Sequence, residues 1–193
     1  ASGIRVRVEG RERIPSVPAV YIANHVSFVD IWVLLQELPG SLRFVFKQEM
    51  MGIPVLGQAL RAGRHISIDR KNQAKAFAAY DDAAKLIQGG ISAAVFAEGT
   101  RSPDGTLRPF KKGPFVLAVA AGAPIVPVHL GGTWAAMPRG AAAPRPGEVT
   151  LRIGEPIATT GMTYEDRDRL AQACHAAIVR LAAGDAGTTP GAA

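Results

Sequence analysis

Apolar and polar positions along the chain fall into short runs separated by turn residues. Residues 4–8, Ile-Arg-Val-Arg-Val, alternate apolar and basic side chains, the period-two pattern of a strand with one wet face. A turn-rich connector over 10–18 leads into Ala19-Val20-Tyr21-Ile22, a short buried strand. The helix expected over 27–38 is nearly all apolar beyond Asp30, so it is either deeply buried or faces lipid, and Pro39-Gly40 ends it. A second strand over 42–46 delivers Lys47 just beyond its end, where the common fate of such a side chain is solvation. After Gly52 and Pro54 a short helix runs to about Arg61, and a strand over 64–68 ends at Asp69-Arg70.

The helix predicted over 72–88 is amphipathic, with Phe77, Ala84 and Ile87 near one face and Gly89-Gly90 as its C-cap. A buried strand over 92–96 follows, then a helix over 114–121 opened by Pro114, a strand over 125–129, a Pro- and Ala-rich loop over 140–147 and a strand over 149–153. Thr163-Tyr164-Glu165-Asp166 caps a last helix to about Ala183, with Leu170, Cys174, Ile178 and Leu181 on its apolar side. Strands alternating with helices imply one α/β domain over 1–183, its central sheet mostly parallel or mixed and flanked by helices, with 184–193 expected as a disordered tail. Residues 113–138 carry no Lys, Arg, Asp or Glu and have the length of a membrane span, but Gly122, Pro124 and Pro127 divide them into a helix and a strand.

Composition narrows the partners. The formal net charge is +6, which favours anionic partners such as nucleic acid, phosphorylated metabolites or an anionic membrane surface. Aromatic residues make up 6% of the chain and do not interleave with basic runs, so the stacking surfaces of a single-strand binder are missing and lipid or phosphate is favoured. The single cysteine, Cys174, excludes an intrachain disulfide and reads as buried filler. His25, His65, His129 and His175 belong to no paired-ligand motif, so no metal site is expected. The chain opens on Ala1 and shows no signal peptide, which suggests that something upstream was removed.

Candidate chemistry gathers after the strands. In Asn24-His25-Val26-Ser27-Phe28-Val29-Asp30 an imidazole and a carboxylate flank the expected helix start, and an N-cap at Ser27 would leave His25 in the loop with Asp30 in the first turn, the arrangement of a supported general base. Ser27-x-x-Asp30 equally fits a capping box in which Asp30 only reaches back to the cap. Glu98-Gly99-Thr100-Arg101 leaves the strand at 92–96 as a polar cradle, or as a surface loop with a local Glu98–Arg101 ion pair. Lys111 and Lys112 add cations ahead of the next helix.

Four pieces, Asn24 to Asp30, Gly63 to Arg70, Phe96 to Ser102, and Ile125-Val126-Pro127-Val128, resemble in order and spacing the four blocks of the glycerophospholipid acyltransferases, most closely the 1-acyl-sn-glycerol-3-phosphate acyltransferases. The resemblance implies a glycerolphosphate acyltransferase-like α/β fold. It also implies transfer of a fatty acyl group from acyl-CoA or acyl carrier protein to the sn-2 hydroxyl of lysophosphatidate, giving phosphatidate without a metal or other cofactor. On that reading His25 is the general base and Asp30 fixes its tautomer. Glu98, Gly99, Thr100 and Arg101 hold the glycerol phosphate, with Lys47 and Arg70 as further cations, and Val126, Pro127 and Val128 shape a substrate pocket. The implied partners are the two substrates and an anionic membrane, at whose cytoplasmic face the protein would act. Two departures stand out: Ser67 occupies a position that is commonly aromatic, and the sequence as given does not include the usual hydrophobic N-terminal segment, so either that anchor was removed or another surface gives peripheral attachment. No G-x-S-x-G elbow offers an acyl-serine, which agrees with direct transfer, and backbone amides at the Ser27 helix start are candidate oxyanion donors. Rival readings keep the chemistry on another lysolipid, such as a lyso-aminolipid, or make the chain a non-catalytic anionic-lipid binding module.

Overall fold

A computed structural model describes residues 3–69 and 73–184. Seven strands form one sheet in the order β1-β7-β6-β2-β5-β3-β4. They are β1 (Ile4–Glu9), β2 (Val20–Ala23), β3 (Leu42–Lys47), β4 (Ile66–Ile68), β5 (Ser92–Phe96), β6 (Ile125–Gly131) and β7 (Gly147–Ile153). Every neighbouring pair is parallel except β6 with β7, so the sheet is mixed, as expected from strands near each terminus. The helices are α1 (Val29–Glu37), α2 (Leu56–Ala62), α3 (Gln73–Gln88), α4 (Gly113–Ala121), the single turn α5 (Thr133–Ala136) and α6 (Arg167–Ala182).

Strand side chains alternate between two cores. On one face Val20 and Ile22 of β2 meet Ala84 and Ile87 of α3, Phe115 and Leu117 of α4, and Leu170, Cys174 and Ile178 of α6. On the other, Tyr21 and Ala23 meet Val29, Val33 and Leu34 of α1, together with Val149, Leu151 and Ile153 of β7. Covered on both faces, β2 and β5 need the near-continuous apolar runs they carry. Helix α1 resolves its two expected fates by face: Val29, Val33 and Leu34 are buried while Phe28, Trp32 and Leu35 are exposed. Phe77 does not share the buried face of Ala84 and Ile87 and stands exposed at a cleft. The box at Thr163 and Asp166 forms as expected, over a 3₁₀ turn (Tyr164–Asp166) that feeds α6.

Because β2, β3, β5 and β6 run parallel, their carboxyl ends open on the same edge. Lys47 ends β3, and His25 and Glu98 lie just past the ends of β2 and β5, the usual place for a site in an α/β sheet.

Candidate active site

The loop from β2 to α1 is tied at nearly every polar atom. Asn24 spans the strands, its amide donating to Leu130 O at 3.0 Å and its carbonyl accepting from Leu130 N at 2.8 Å. Ser27 Oγ accepts from Val29 N at 3.2 Å and donates to Met137 O at 2.8 Å, so it caps a helix whose Phe28 is already in the helical region. Asp30, fully buried in the first turn, turns back over this loop. Its Oδ2 accepts from Val26 N at 2.7 Å, from Ser27 N at 2.8 Å and from His25 Nδ1 at 2.8 Å. The two readings of Asp30 are therefore both realised: one oxygen takes the cap amides and the imidazole together. Since Oδ2 is fixed by two N–H donors, Nδ1 carries its hydrogen toward Asp30, and Nε2 is left with its lone pair. The helix-start amides of Val26, Ser27 and Val29 donate within the loop, so they are not aimed at a developing oxyanion.

His25 is held on three further sides. Its ring stacks on Phe96 at 3.8 Å between centroids and 12° between planes, its N–H donates to Glu98 Oε1 at 2.8 Å, and its carbonyl accepts from Ser102 N at 2.8 Å. Glu98 is 4% exposed, and Oε2 accepts from Arg108 N at 3.0 Å. Burial pushes its carboxyl above the ordinary carboxylate range, against the opposing pull of the two backbone N–H groups. The Glu98–Arg101 ion pair of the surface-loop alternative is not formed; the Arg101 guanidinium lies 4.0 Å over the Phe28 ring instead. Gly99, at φ 81°, makes the left-handed turn that reverses the chain between them.

Two cavities meet beside His25. One, of about 320 Å³, is lined almost wholly by apolar side chains of α1, β3, α2 and the 3₁₀ turn between the last two (Gln48–Gly52), among them Ile31, Trp32, Phe44, Met50 and Leu60, with His25 at its wall. His65 also lines it; its Nδ1 accepts from Phe44 N at 3.1 Å, and burial followed by the nearby Arg43 charge lowers its pKa, which keeps the imidazole neutral. The other, of about 680 Å³, is a wider cleft toward α3 and α4 bordered by Lys47, Glu98, Gly99, Thr100, Lys111, Lys112 and Arg167. Val45, Lys47, Phe96 and Gly99 belong to both walls, so the imidazole stacked on Phe96 stands where they join.

Of the residues expected from sequence, the structure brings His25, Asp30, Lys47, Glu98, Gly99 and Thr100 to this junction and turns Arg101 toward α1. Arg70 lies outside the described residues. Val126, Pro127 and Val128 are buried in the middle of the sheet and line neither cavity, because β6 is flanked by β2 and β7 and its side chains face the helical layers. Phe96, Arg167 and the α1–α2 apolar lining were missed. Phe96 had only the signal of a strand's last residue, and Arg167 reaches the cleft from a helix remote in sequence.

The acyltransferase family model matches residues 5–131, more than half of the chain, and the protein belongs to the Acyltransferase family. It is 37% identical over 179 residues to a 1-acyl-sn-glycerol-3-phosphate acyltransferase of Limnanthes douglasii, covering 92% of this chain and 63% of that relative. To the human 1-acyl-sn-glycerol-3-phosphate acyltransferase alpha it is 34% identical over 171 residues, covering 88% and 60%. The crystal structure of the 1-acyl-sn-glycerophosphate acyltransferase PlsC from Thermotoga maritima superimposes with a TM-score of 0.74 at 32% identity, over 92% of this chain and 72% of that one. The chain thus spans less than two thirds of these curated relatives. Among the described residues no helix is long and apolar enough to cross a membrane.

Proposed function

We propose that the chain transfers a fatty acyl group from an acyl-CoA or acyl carrier protein thioester to the sn-2 hydroxyl of 1-acylglycerol-3-phosphate, forming phosphatidate. The observation that carries the reading is the His25 imidazole, backed by Asp30, at the junction of an apolar cavity and a cationic cleft. The cleft, with Lys47, Lys111 and Arg167 on its walls, suits the phosphate of the acceptor. The apolar cavity suits a fatty chain.

In the reaction His25 Nε2 takes the proton of the acceptor hydroxyl as its oxygen attacks the thioester carbonyl. Asp30 stabilises the imidazolium through Nδ1–H, and the aromatic face of Phe96 does so from the side. The tetrahedral intermediate expels the thiolate, which recovers the proton from Nε2, so the imidazole ends neutral and no covalent enzyme intermediate forms. Cys174 takes no part: it is buried, and burial pushes its thiol far above the ordinary range. Glu98 serves here as a positioning residue that clamps the His25 backbone to the loop at Arg108, and the phosphate contacts fall to the lysines and arginines.

The test is phosphatidate formation by the purified chain from lysophosphatidate and an acyl thioester. His25→Ala is expected to lower the rate by about 10²- to 10⁴-fold while leaving the unfolding midpoint near wild type. Near-normal turnover in that variant would remove the base assignment, and a wild-type protein that forms no phosphatidate would remove the whole reading.

A further inference from the structure

The cationic cleft is larger than an acceptor headgroup needs. Beside the imidazole its wall is Phe96, Glu98 and Gly99; away from it the wall passes to Phe77 and Tyr80 of α3 and to Tyr164 and Arg167, where the 3₁₀ turn feeds α6. Its volume of about 680 Å³ is several times the space that a glycerol phosphate fills.

The far wall is aromatic. Phe77 and Tyr164 come from elements remote in sequence, and their rings meet at 5.8 Å between centroids, tilted by 51°. Both keep contact with solvent, at 36% and 41% exposure, so the pair presents apolar ring surface to an open cleft, a mark of a binding groove. Tyr80, one turn beyond Phe77, extends this wall, and Gly113 makes room for it: a Cβ there would collide with the Tyr80 hydroxyl. The same wall is cationic. Arg167 lies 3.9 Å over the Tyr164 ring. Its hydrogen bonds to Tyr164 O at 2.8 Å and Glu165 Oε2 at 3.4 Å both leave from Nη1, so among the described residues Nη2 and Nε remain for an anion in the cleft. Lys111 and Lys112 border the cleft ahead of α4, Lys111 exposed and Lys112 paired with Asp168 at 2.8 Å.

Ring faces beside a guanidinium and an exposed lysine are the recognition chemistry of a nucleotide, in which the aromatics take the base and the cations take phosphate. A glycerol phosphate has no ring to offer this wall, and the prosthetic arm of an acyl carrier protein has no base. We infer that the wall is the subsite for the adenine nucleotide of an acyl-CoA donor, with adenine packed on Phe77 and Tyr164 and the nucleotide phosphates on Arg167 and Lys111. The cleft is continuous from these rings to Gly99, so the pantetheine arm runs along it to a thioester beside His25. Gly99 also borders the apolar cavity, into which the fatty chain passes. The inference rests on the proposed acyl transfer for the identity of the donor.

Adenosine 3′,5′-bisphosphate is the probe, because it carries the base and phosphates of CoA without pantetheine or an acyl group. Titration calorimetry on the purified chain is expected to show binding that weakens about tenfold in Tyr164→Ala and in Phe77→Ala, the order of a lost base–aromatic stack, and that Tyr164→Phe retains. In turnover the two alanine variants should raise KM for acyl-CoA about tenfold while KM for the same chain on acyl carrier protein stays within about twofold of wild type. Unfolding midpoints identify folded variants, and since the two rings sit on different elements, one variant answers if the other does not fold. No bisphosphate binding by wild type, unchanged binding in the alanine variants, loss of binding in Tyr164→Phe, or an equal rise in KM for both donors would overturn the nucleotide subsite. Binding is measured without either substrate. Bisphosphate bound by a chain that forms no phosphatidate would therefore fault the catalytic reading, whereas phosphatidate formed by a chain that binds no bisphosphate would fault the subsite alone.

Discussion

At the scale of single residues, Asp30 is the least replaceable group near His25. All three of its donors converge on Oδ2, while Oδ1 is buried with no hydrogen-bond partner. An asparagine has no good way to sit there. With its amide nitrogen at Oδ1 it buries two unsatisfied N–H groups, and with the nitrogen at Oδ2 it confronts three donors with another. Asp30→Asn is therefore expected to cost about 1–3 kcal/mol in denaturant unfolding. Turnover should fall by about 10³- to 10⁴-fold, the order lost when an orienting carboxylate is neutralised. The contact of His25 with Asp30 was legible in the sequence because it is local: five residues and a capping serine determine it. The inward turn of Glu98 and the stacking of Arg101 on Phe28 were not, since both depend on β5 lying beside β2 and on where α1 then falls. A Glu–Arg pair three apart in a loop reads as an ion pair until tertiary neighbours supply better partners.

At the scale of elements, the long apolar runs were readable and the short pieces were not. Strand β5 occupies the expected residues, α3 and α4 agree to within a residue, and α6 ends where expected although its first turn is 3₁₀, because buried runs and amphipathic periodicity persist over many positions. The single turn α5 is too short to show a period, and the first residues of the expected strand at 64–68 instead finish the α2 turn, with Arg64 at φ 50°. Val126 to Val128, expected to shape a substrate pocket, line neither of the two described cavities, and nothing within β6 reveals that β2 and β7 flank it. Helix α2 matters because it walls the apolar cavity, and Gly57 fixes its seat. A Cβ at Gly57 would run into the carbonyl of Met51, which is backbone and cannot yield. Gly57→Ala is thus expected to destabilise by about 1–3 kcal/mol through overpacking. By displacing α2 it should raise KM for long-chain thioesters more than for short-chain ones, which a chain-length series of donors checks.

At the scale of the whole molecule, buried ionisable groups set how the fold tolerates acid. Burial, reinforced by the Arg152 charge and opposed by Asp30, brings His129 down from its ordinary 6.5 to about 4, and its Nδ1 has no partner. Above pH 6.5 the imidazole is neutral in both folded and unfolded chains and contributes nothing to pH dependence. Between pH 6.5 and 4 only the unfolded chain binds the proton, so stability falls as pH falls, by an amount on the order of 3 kcal/mol once pH reaches the folded value. Urea titrations of His129→Gln should show a shallower loss over that interval than wild type. Alternating strands and helices made the α/β class readable, but not the partner of β1, because β1 pairs with β7 and their contacts, Glu9 with Arg152 among them, join residues 143 apart. That pairing has a consequence for time. The central strands β2, β5 and β6 can assemble before β7 exists, whereas β1, which precedes them in the chain, has no neighbour until β7 has left the ribosome. Closing so long a loop places folding in the slow regime of non-local topologies, milliseconds to seconds, with β1 docking in the last phase. A mutation in β7 such as Leu151→Ala should then speed unfolding while leaving assembly of the His25 loop nearly untouched.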